Sequence, residues 1–342
     1  MSTTTKKTIA IIGATGTQGS SIAKSFLPLP NWSVRAISRN ASSRAAQDLA
    51  SLGCTVVEAD LNSIDSLRAA FIGAHAIFVN TDFWGPYTPD PNRDGDKAFR
   101  AEVTHGKNAA IAAAGIPTLE RYVYSALASV KRGSGRKYGR SLHCESKAAV
   151  VEYIENEQVE LAKKTSFIYI GAYATNPLFS PRFDAENEVY RFTVQISGSC
   201  RMPIIDAGAS TGGFVCELVV TEPAGVKLLA HDRDSYLSMD EVVQAWERVT
   251  AKKGMLETIS LDELHAATGV PIEALEAPIA IEEFGYMAGV GKYILPGDLQ
   301  NEVQTKSFEE WLAAGDCRGL RGEGEAELAS TKGPKGKKAS VG

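Results

Sequence analysis

The strongest constraint on the fold is a strand, a glycine-rich turn and a helix near the start of the chain. The apolar run 9–12 is typical of a buried strand, and it leads directly into Gly13, Gly16 and Gly19. Small and apolar residues then recur at helical spacing through Phe26. Glycines in this setting allow a tight turn and let the backbone approach a pyrophosphate, whose charge the helix N-terminus stabilises. The pattern predicts a dinucleotide site; the alternative is a turn without a ligand.

Composition narrows the class of protein. The chain has 342 residues, 44% of them hydrophobic, and a net charge of −5, which is typical of a globular protein that does not bind nucleic acid directly. No apolar run approaches the roughly 20 residues that cross a bilayer, and residues 1–7 lack the apolar core of a signal peptide. Five cysteines without a C-x-x-C pair indicate reduced thiols rather than disulfides or a metal site. We expect a soluble cytoplasmic protein without a metal; a nuclear location is the alternative.

Apolar runs and helical patterns alternate through the first half of the chain. Strands are predicted at 32–39, 55–60, 76–80, 122–126 and 165–170. This alternation predicts an α/β fold with a doubly wound parallel-sheet Rossmann domain. Because ligands of such sheets bind beyond the carboxyl ends of the strands, the polar residues at these strand ends should share one edge.

The clean alternation fades after Phe179, which indicates a smaller mixed α/β C-terminal region. We expect a flexible N-terminus over 1–7 and an NAD(P)-binding Rossmann domain over 8–178, to which part of the C-terminal chain returns. A smaller substrate or partner domain should span 179–321. The Gly- and Lys-rich residues 322–342 are predicted to form a disordered tail.

The end of the second strand favours NADP over NAD. An acidic residue there would bind the ribose 2′-hydroxyl, whereas a cation suits a 2′-phosphate. Arg39 and Arg44 flank Ser42 and Ser43, and the next acid is Asp48. The alternative is that Arg39 is only a solvated surface charge.

Two further features of this edge leave alternatives open. Asp60 ends the third strand, where it would either contact an adenine or cap the following helix. After the fourth strand, residues 83–94 form a long proline-rich loop that contains Phe83, Trp84 and Tyr87. Such a loop would either cover a substrate or pack on its own side chains.

A predicted helix that begins at His143 carries the candidate chemistry. His143 and Lys147 are four residues apart and therefore share one face. The lysine would hold the nicotinamide ribose hydroxyls, and the histidine would donate a proton for carbonyl reduction or hydrogen-bond the substrate. Ser125, at the end of the fifth strand, is a candidate oxyanion donor. The alternative is an ordinary exposed histidine and lysine.

Together these motifs resemble the NmrA-like family of atypical short-chain dehydrogenase/reductases. The resemblance covers most of the chain and rests on the segments 13–19, 38–40, 57–60, 80–84, 123–125 and 143–147. It implies a Rossmann domain with a smaller C-terminal domain, and NADP(H) as the cofactor.

The resemblance also implies roles for particular residues. It implies that the pyrophosphate is held by Gly13, Ala14, Thr15, Gly16, Thr17 and Gln18, with Gly19 in the same motif, and that the 2′-phosphate is held by Arg39, Asn40 and Ser43. It implies contacts to adenine from Asp60 and Leu61, contacts on the nicotinamide side from Asn80, Thr81 and Asp82, a ribose contact from Lys147, and further contacts from Gly171, Ala172, Tyr173 and Ala174.

The chain departs from standard short-chain dehydrogenases where those carry Tyr-x-x-x-Lys, because His143 stands at the tyrosine position. We predict an NADP-dependent oxidoreductase that acts on a small organic substrate, such as a secondary metabolite. One alternative is a non-catalytic redox sensor that binds NADP(H) and a regulatory protein. A further alternative is a cofactor-assisted rearrangement without net redox change.

Overall fold

The computed structural model describes residues 6–315. The strands assigned in this range are β1 (Lys7–Ile12), β2 (Trp32–Ser38), β3 (Thr55–Glu58), β4 (Ala76–Val79), β5 (Arg121–Ala126), β6 (Thr165–Ile170), β7 (Ala172–Tyr173), β8 (Arg182–Asp184), β9 (Val189–Val194), β10 (Arg201–Ile205), β11 (Lys227–Ala230), β12 (Tyr236–Ser238) and β13 (Gly254–Thr258).

The helices are α1 (Thr17–Phe26), α2 (Arg44–Ser51), α3 (Ile64–Phe71), α4 (Trp84–Tyr87), α5 (Gly95–Ala114), α6 (Val130–Gly133), α7 (Leu142–Glu157), α8 (Val159–Ala162), α9 (Thr211–Val220), α10 (Met239–Thr250), α11 (Leu261–Thr268), α12 (Ile272–Phe284) and α13 (Phe308–Ala314). Short 3₁₀ turns lie at Pro177–Phe179 and Pro296–Asp298.

A seven-stranded parallel sheet forms the centre of the molecule, in the order β11-β6-β5-β4-β1-β2-β3. Every residue of β4 and β6 is buried, as expected of strands covered on both faces. The predicted doubly wound Rossmann fold is confirmed. The strand β11 comes from the C-terminal half of the chain and pairs in parallel with β6 at the edge of this sheet.

Helices cover both faces of the sheet. One face packs against α1, α2 and α9 through residues such as Phe26, Leu49 and Phe214. The other packs against α3, α5 and α7 through residues such as Leu67 and Val150. The two layers bury the sheet and leave the carboxyl ends of its strands as the edge on which polar residues collect.

The C-terminal half builds two further three-stranded sheets, ordered β12-β10-β7 and β13-β9-β8. They enclose a separate core that contains the fully buried Trp246. Ser238, Ser260 and Ser307 begin α10, α11 and α13 with capping boxes, in which a serine and a glutamate satisfy the first helical amides.

The predicted tail over 322–342 and residues 1–5 of the predicted N-terminal segment lie outside the described residues. Within residues 6–315, none of the helices combines the length and apolarity that crossing a membrane requires.

Candidate functional site

The turn between β1 and α1 is shaped by two glycines. Gly13 has a φ of +74°, which residues with a side chain rarely adopt. A Cβ at Gly19 would lie 2.2 Å from the Gly13 carbonyl oxygen, so only glycine lets α1 pack this closely on the turn. The helix begins at Thr17 without a side-chain cap, and Gly13, Thr15 and Thr17 are exposed. Its first amides are therefore available to an anion.

The turn is tied to the strand ends beside it. Gln18 donates a hydrogen bond of 2.8 Å from Nε2 to the Tyr173 hydroxyl. Tyr173 lies on β7, which continues β6 beyond Gly171. A Cβ at Gly171 would lie 2.7 Å from the Pro203 carbonyl oxygen, so glycine permits the close approach of β10. The predicted residues Gly171, Ala172 and Tyr173 thus lie where the main sheet meets the β12-β10-β7 sheet; Ala174 follows them and is buried.

Arg39 lies exposed directly after β2. No hydrogen bond or ion pair of its guanidinium is found among residues 6–315. Nearby, Ser43 caps α2 by accepting the Ala46 amide at 3.3 Å. Asn40 accepts the Ser42 amide at 2.9 Å and so shapes the connecting turn. The loop therefore presents a free cation beside a helix start, an arrangement suited to a phosphate.

Asp60 and Leu61 lie at the same edge, after β3. Asp60 Oδ1 accepts the amide and the side chain of Asn62, both at 2.9 Å, and these bonds lower the pKa of the Asp60 carboxyl. Ser63, not Asp60, caps α3, so the capping alternative for Asp60 is wrong. The Leu61 carbonyl accepts a 2.9 Å hydrogen bond from Asn108.

Lys147 lies in a polar cluster beyond β4. Its Nζ is 3.0 Å from Asn80 Oδ1, 2.8 Å from the Thr81 carbonyl and 3.1 Å from Glu102 Oε1. Each of its three N–H groups thus has an acceptor within reach. Asp82 is exposed and accepts the Trp84 amide at 3.0 Å. The structure therefore brings together the predicted residues Asn80, Thr81 and Lys147.

Sequence reasoning missed Glu102, which is fully buried on α5. Besides Lys147, its carboxylate accepts the Thr81 hydroxyl at 2.8 Å and the Ser146 hydroxyl. The Thr81 hydroxyl also lies 3.0 Å from the Tyr124 hydroxyl. The sequence did contain a signal for this residue. Glu102 is a charged residue at helical spacing from the small residues Ala98, Gly106 and Ala109, which form the buried face of α5.

His143 lies in the first turn of α7, beside the rings of Phe83 and Trp84. Burial lowers the pKa of His143 to about 4, so the imidazole is neutral at pH 7. Ser125 lies apart from this cluster. Tyr124 packs towards α5 and α7, so strand alternation turns the neighbouring Ser125, which is 2% exposed, to the opposite face of the sheet.

The aromatic loop packs largely on itself. Phe83 and Tyr87 are buried in a small cluster with Ala98, and the rings of Phe83 and Tyr87 are stacked 5.4 Å apart. The Tyr87 hydroxyl donates a 3.1 Å hydrogen bond to Glu273 on α12. The predicted substrate residues Phe83, Trp84 and Tyr87 do not line the larger cavity of the described structure; Tyr87 lines a smaller one. These observations agree with the second interpretation of the loop, in which it packs on its own side chains.

A cavity of about 650 Å³ opens between the sheet edge and the C-terminal region. On the sheet side it is lined by residues after β5, by His143 and by Ala172. On the other side it is lined by β9, α11 and α12, largely with apolar side chains. It is large enough for a drug-sized molecule, and it meets the predicted dinucleotide edge at His143 and Ala172.

Comparisons with known proteins agree with this geometry. The model of the NmrA-like family matches residues 5–311. An "NmrA-like family domain-containing oxidoreductase hkm9" from Aspergillus hancockii is 30% identical over 283 residues, which cover 78% of this chain and 79% of the relative.

Two solved structures share the fold. A crystal structure of NmrA, a negative transcriptional regulator, in complex with NADP is 22% identical, with a TM-score of 0.68 over 94% of this chain and 98% of the other. A binary complex of leucoanthocyanidin reductase and NADPH from Vitis vinifera is 14% identical, with a TM-score of 0.67 over 90% and 98%.

Proposed function

The chain belongs to the NmrA-like family. We propose that it is an NADP(H)-dependent oxidoreductase that acts on a small organic molecule. The matched fungal relative is named an oxidoreductase, and two neighbours of the same fold were solved with NADP or NADPH. The single observation that carries the proposal is the apolar-walled cavity that adjoins the predicted dinucleotide edge at His143 and Ala172.

The chain's own groups fit the cofactor. The uncapped start of α1 at Thr17 would bind the pyrophosphate. Gly13 and Gly19 allow a tight turn, with no side chains at these two positions between the pyrophosphate and the first amides of the helix. Arg39 would pair with the 2′-phosphate. The bound nicotinamide would supply a hydride to an electrophilic carbon of the substrate, and the oxygen or nitrogen that receives the electron pair would take its proton from solvent.

Lys147 would bind the ribose beside the nicotinamide. Its ammonium already contacts Asn80, Thr81 and Glu102, so a ribose hydroxyl would replace one of the neutral acceptors. The Glu102 carboxylate would remain and keep the ammonium at the sheet edge, because a buried charge needs its partner.

His143 fits a hydrogen-bonding role better than the role of proton donor. Burial lowers the pKa of His143 to about 4, so at pH 7 the imidazole is neutral, and its one remaining N–H is suited to hydrogen bonding rather than to general acid catalysis. It lines the cavity and would orient a polar group of the substrate. Ser125 lies near the end of β5 and is 2% exposed, and its role as an oxyanion donor stays a prediction.

The proposal is tested by incubating the purified protein with NADPH and a panel of carbonyl and imine compounds, while NADPH absorbance is followed. Turnover of at least one compound is expected. A tight NADPH complex that turns over none of them would contradict the catalytic part of the proposal and leave cofactor binding in place.

One observation favours the second candidate, a sensor of NADP(H) that reports to a partner protein. In the described structure, Asn80, Thr81 and Glu102 already engage the Lys147 ammonium, and burial lowers the pKa of His143 to about 4, so His143 is neutral at pH 7 and is not poised as an acid. A neighbour of the same fold is described as a negative transcriptional regulator. Under this candidate, the partners recovered in a pulldown should change with the NADPH/NADP ratio; an unchanged set would contradict it.

A further inference from the structure

The polar wall of the large cavity comes from β9 and the residue that follows it. Arg191 and Thr193 alternate with Phe192 and Val194, which are buried in the C-terminal core. Gln195 follows the strand in the same alternation and also lines the cavity. Strand periodicity therefore turns Arg191, Thr193 and Gln195 towards the cavity.

The hydroxyl of Thr193 and the positive charge of Arg191 are already engaged within the protein. Arg191 pairs with Asp184 and, at 3.0 Å, with Glu257. The Thr193 hydroxyl donates to Glu257 at 3.1 Å. The other charged residue that lines the cavity, Arg182, is exposed. Asp184 and Glu257 both balance Arg191, whereas Arg182 is exposed to solvent and forms no ion pair among the described residues, so the buried part of this wall carries no unpaired charge to attract an ion.

Gln195 is the exception, because half of its amide has no partner. The residue is 8% exposed, and its Nε2 donates a 2.8 Å hydrogen bond to the Leu275 carbonyl. That bond fixes the orientation of the amide, because a flipped amide would set two oxygens against each other. The Oε1 atom is buried and has no hydrogen-bond partner among the described residues. A buried acceptor without a donor is costly, so a molecule in the cavity that donates a hydrogen bond to Oε1 would be favoured.

We infer that this cavity binds an uncharged, largely apolar molecule that donates a hydrogen bond from an N–H or O–H group to Gln195 Oε1. The inference rests on the proposed function, since it names the substrate class of that site. The cavity volume of about 650 Å³ suits a molecule of several rings. Gln195 thereby favours substrates that carry this N–H or O–H group, although the group takes no part in hydride transfer.

The test uses matched probes: 2-naphthol, its O-methylated form 2-methoxynaphthalene, and the anion 2-naphthoate. Each is titrated calorimetrically into the full chain without nucleotide. The wild type should bind 2-naphthol about fivefold more tightly than the methyl ether, the ratio expected of one neutral hydrogen bond, and 2-naphthoate should bind more weakly than 2-naphthol. Gln195→Met should abolish the preference for 2-naphthol over the ether, while Thr193→Val, on the same wall, should retain it.

The wild-type comparison stands even where Gln195→Met fails to fold. Equal affinities for 2-naphthol and its ether, tighter binding of 2-naphthoate, or no binding of any probe would overturn the inference. NADPH binding is measured in a separate titration. A chain that binds NADPH but shows no donor preference would refute only this inference, and a chain with the preference but no NADPH binding would refute only the proposed function.

Discussion

Arg39 is the residue on which the choice between the two pyridine nucleotides depends. It is exposed, and no ion pair or hydrogen bond engages it within residues 6–315. Changing Arg39 to Ala should therefore remove a phosphate contact without disturbing the fold. A charge-assisted contact contributes about 1.5–3 kcal/mol, so NADPH should bind roughly 10- to 100-fold more weakly, while NADH affinity should change little.

Fluorescence titration of both nucleotides measures this difference. Arg248→Ala is the matched control, because Arg248 lies on α10 and pairs with Glu309 in the C-terminal region. It should leave both affinities unchanged. If Arg39→Ala weakens NADPH and NADH equally, the assignment of Arg39 to the 2′-phosphate is wrong.

Glu102 is the residue that holds Lys147. The carboxylate is fully buried, whereas the Lys147 side chain is 12% exposed and has neutral acceptors as well. Glu102→Gln keeps an oxygen for the Thr81 hydroxyl but leaves the ammonium without its countercharge. Removing one partner of a buried pair costs about 3–5 kcal/mol; because Lys147 reaches solvent, we expect the lower end, about 3 kcal/mol, in the free energy of unfolding from urea denaturation.

An exposed pair provides the control for this variant. Glu160 and Lys163 form an ion pair on α8 and the residue after it, with both side chains more than half exposed. Glu160→Gln should cost less than about 0.5 kcal/mol. Similar losses for the two variants would show that Glu102 does not form a distinct buried pair with Lys147.

At the scale of elements, the junction of β1 and α1 depends on Gly19. A methyl group there would lie 2.2 Å from the Gly13 carbonyl, so Gly19→Ala must push the helix away from the turn. Because the pyrophosphate would bind at this junction, NADPH affinity should fall by at least about tenfold, along with a stability loss of about 1–3 kcal/mol from overpacking. Calorimetry and thermal unfolding measure the two effects.

Gly297→Ala is the control, since nothing lies within 4 Å of a Cβ at that position. It should leave NADPH binding unchanged. Unchanged affinity in Gly19→Ala would mean that the nucleotide does not rest on the start of α1.

Elements with a clear period were predictable from the sequence. The apolar runs 9–12 and 165–170 lie in β1 and β6, and the helix predicted to start at His143 is α7. Strands β8 and β9 were not predicted, because Arg182–Asp184 is short and Val189–Val194 begins with two apolar residues in a row, so only its last four residues alternate. Their pairing depends on partners distant in sequence.

The candidate site was predictable only where its residues lie close together in the sequence. The glycine turn and the spacing of His143 and Lys147 are short-range patterns. Glu102 and Lys147 are 45 positions apart in the sequence and meet through the packing of α5 on α7. The orphan acceptor of Gln195 exists only because α12 places the Leu275 carbonyl beside it. Such contacts arise from tertiary packing, which no local pattern encodes.

At the scale of the whole molecule, Asp232 links the seven-stranded sheet to the β12-β10-β7 sheet. It also sets part of the pH dependence of the free energy of unfolding. It follows β11 and accepts the Asp206 amide after β10 at 2.6 Å. Burial raises the pKa of Asp232 from 3.8 to about 6, and the neighbouring Asp206 charge adds to the rise. The folded chain therefore binds more protons than the unfolded chain between these values, so this group's contribution to stability is lost as pH rises from about 4 to 6.

Asp232→Asn keeps an acceptor for the Asp206 amide and cannot ionise. Its free energy of unfolding should match the wild type below pH 4 and exceed it by about 2–3 kcal/mol above pH 6. His143 acts in the opposite direction, because its lowered pKa makes acidification from about 6.5 towards 4 destabilising. Both proteins contain His143, so its effect cancels when the free energy of unfolding of the wild type is subtracted from that of Asp232→Asn at each pH. A difference that does not change with pH would contradict the raised pKa of Asp232.

The most direct measurement of the central claim is a calorimetric titration of the full chain with NADPH and with NADH. We expect one site per chain, with NADPH bound at least about tenfold more tightly, because Arg39 would contact the 2′-phosphate that NADH lacks. Absence of heat for both nucleotides, or equal affinity for the two, would contradict the claim.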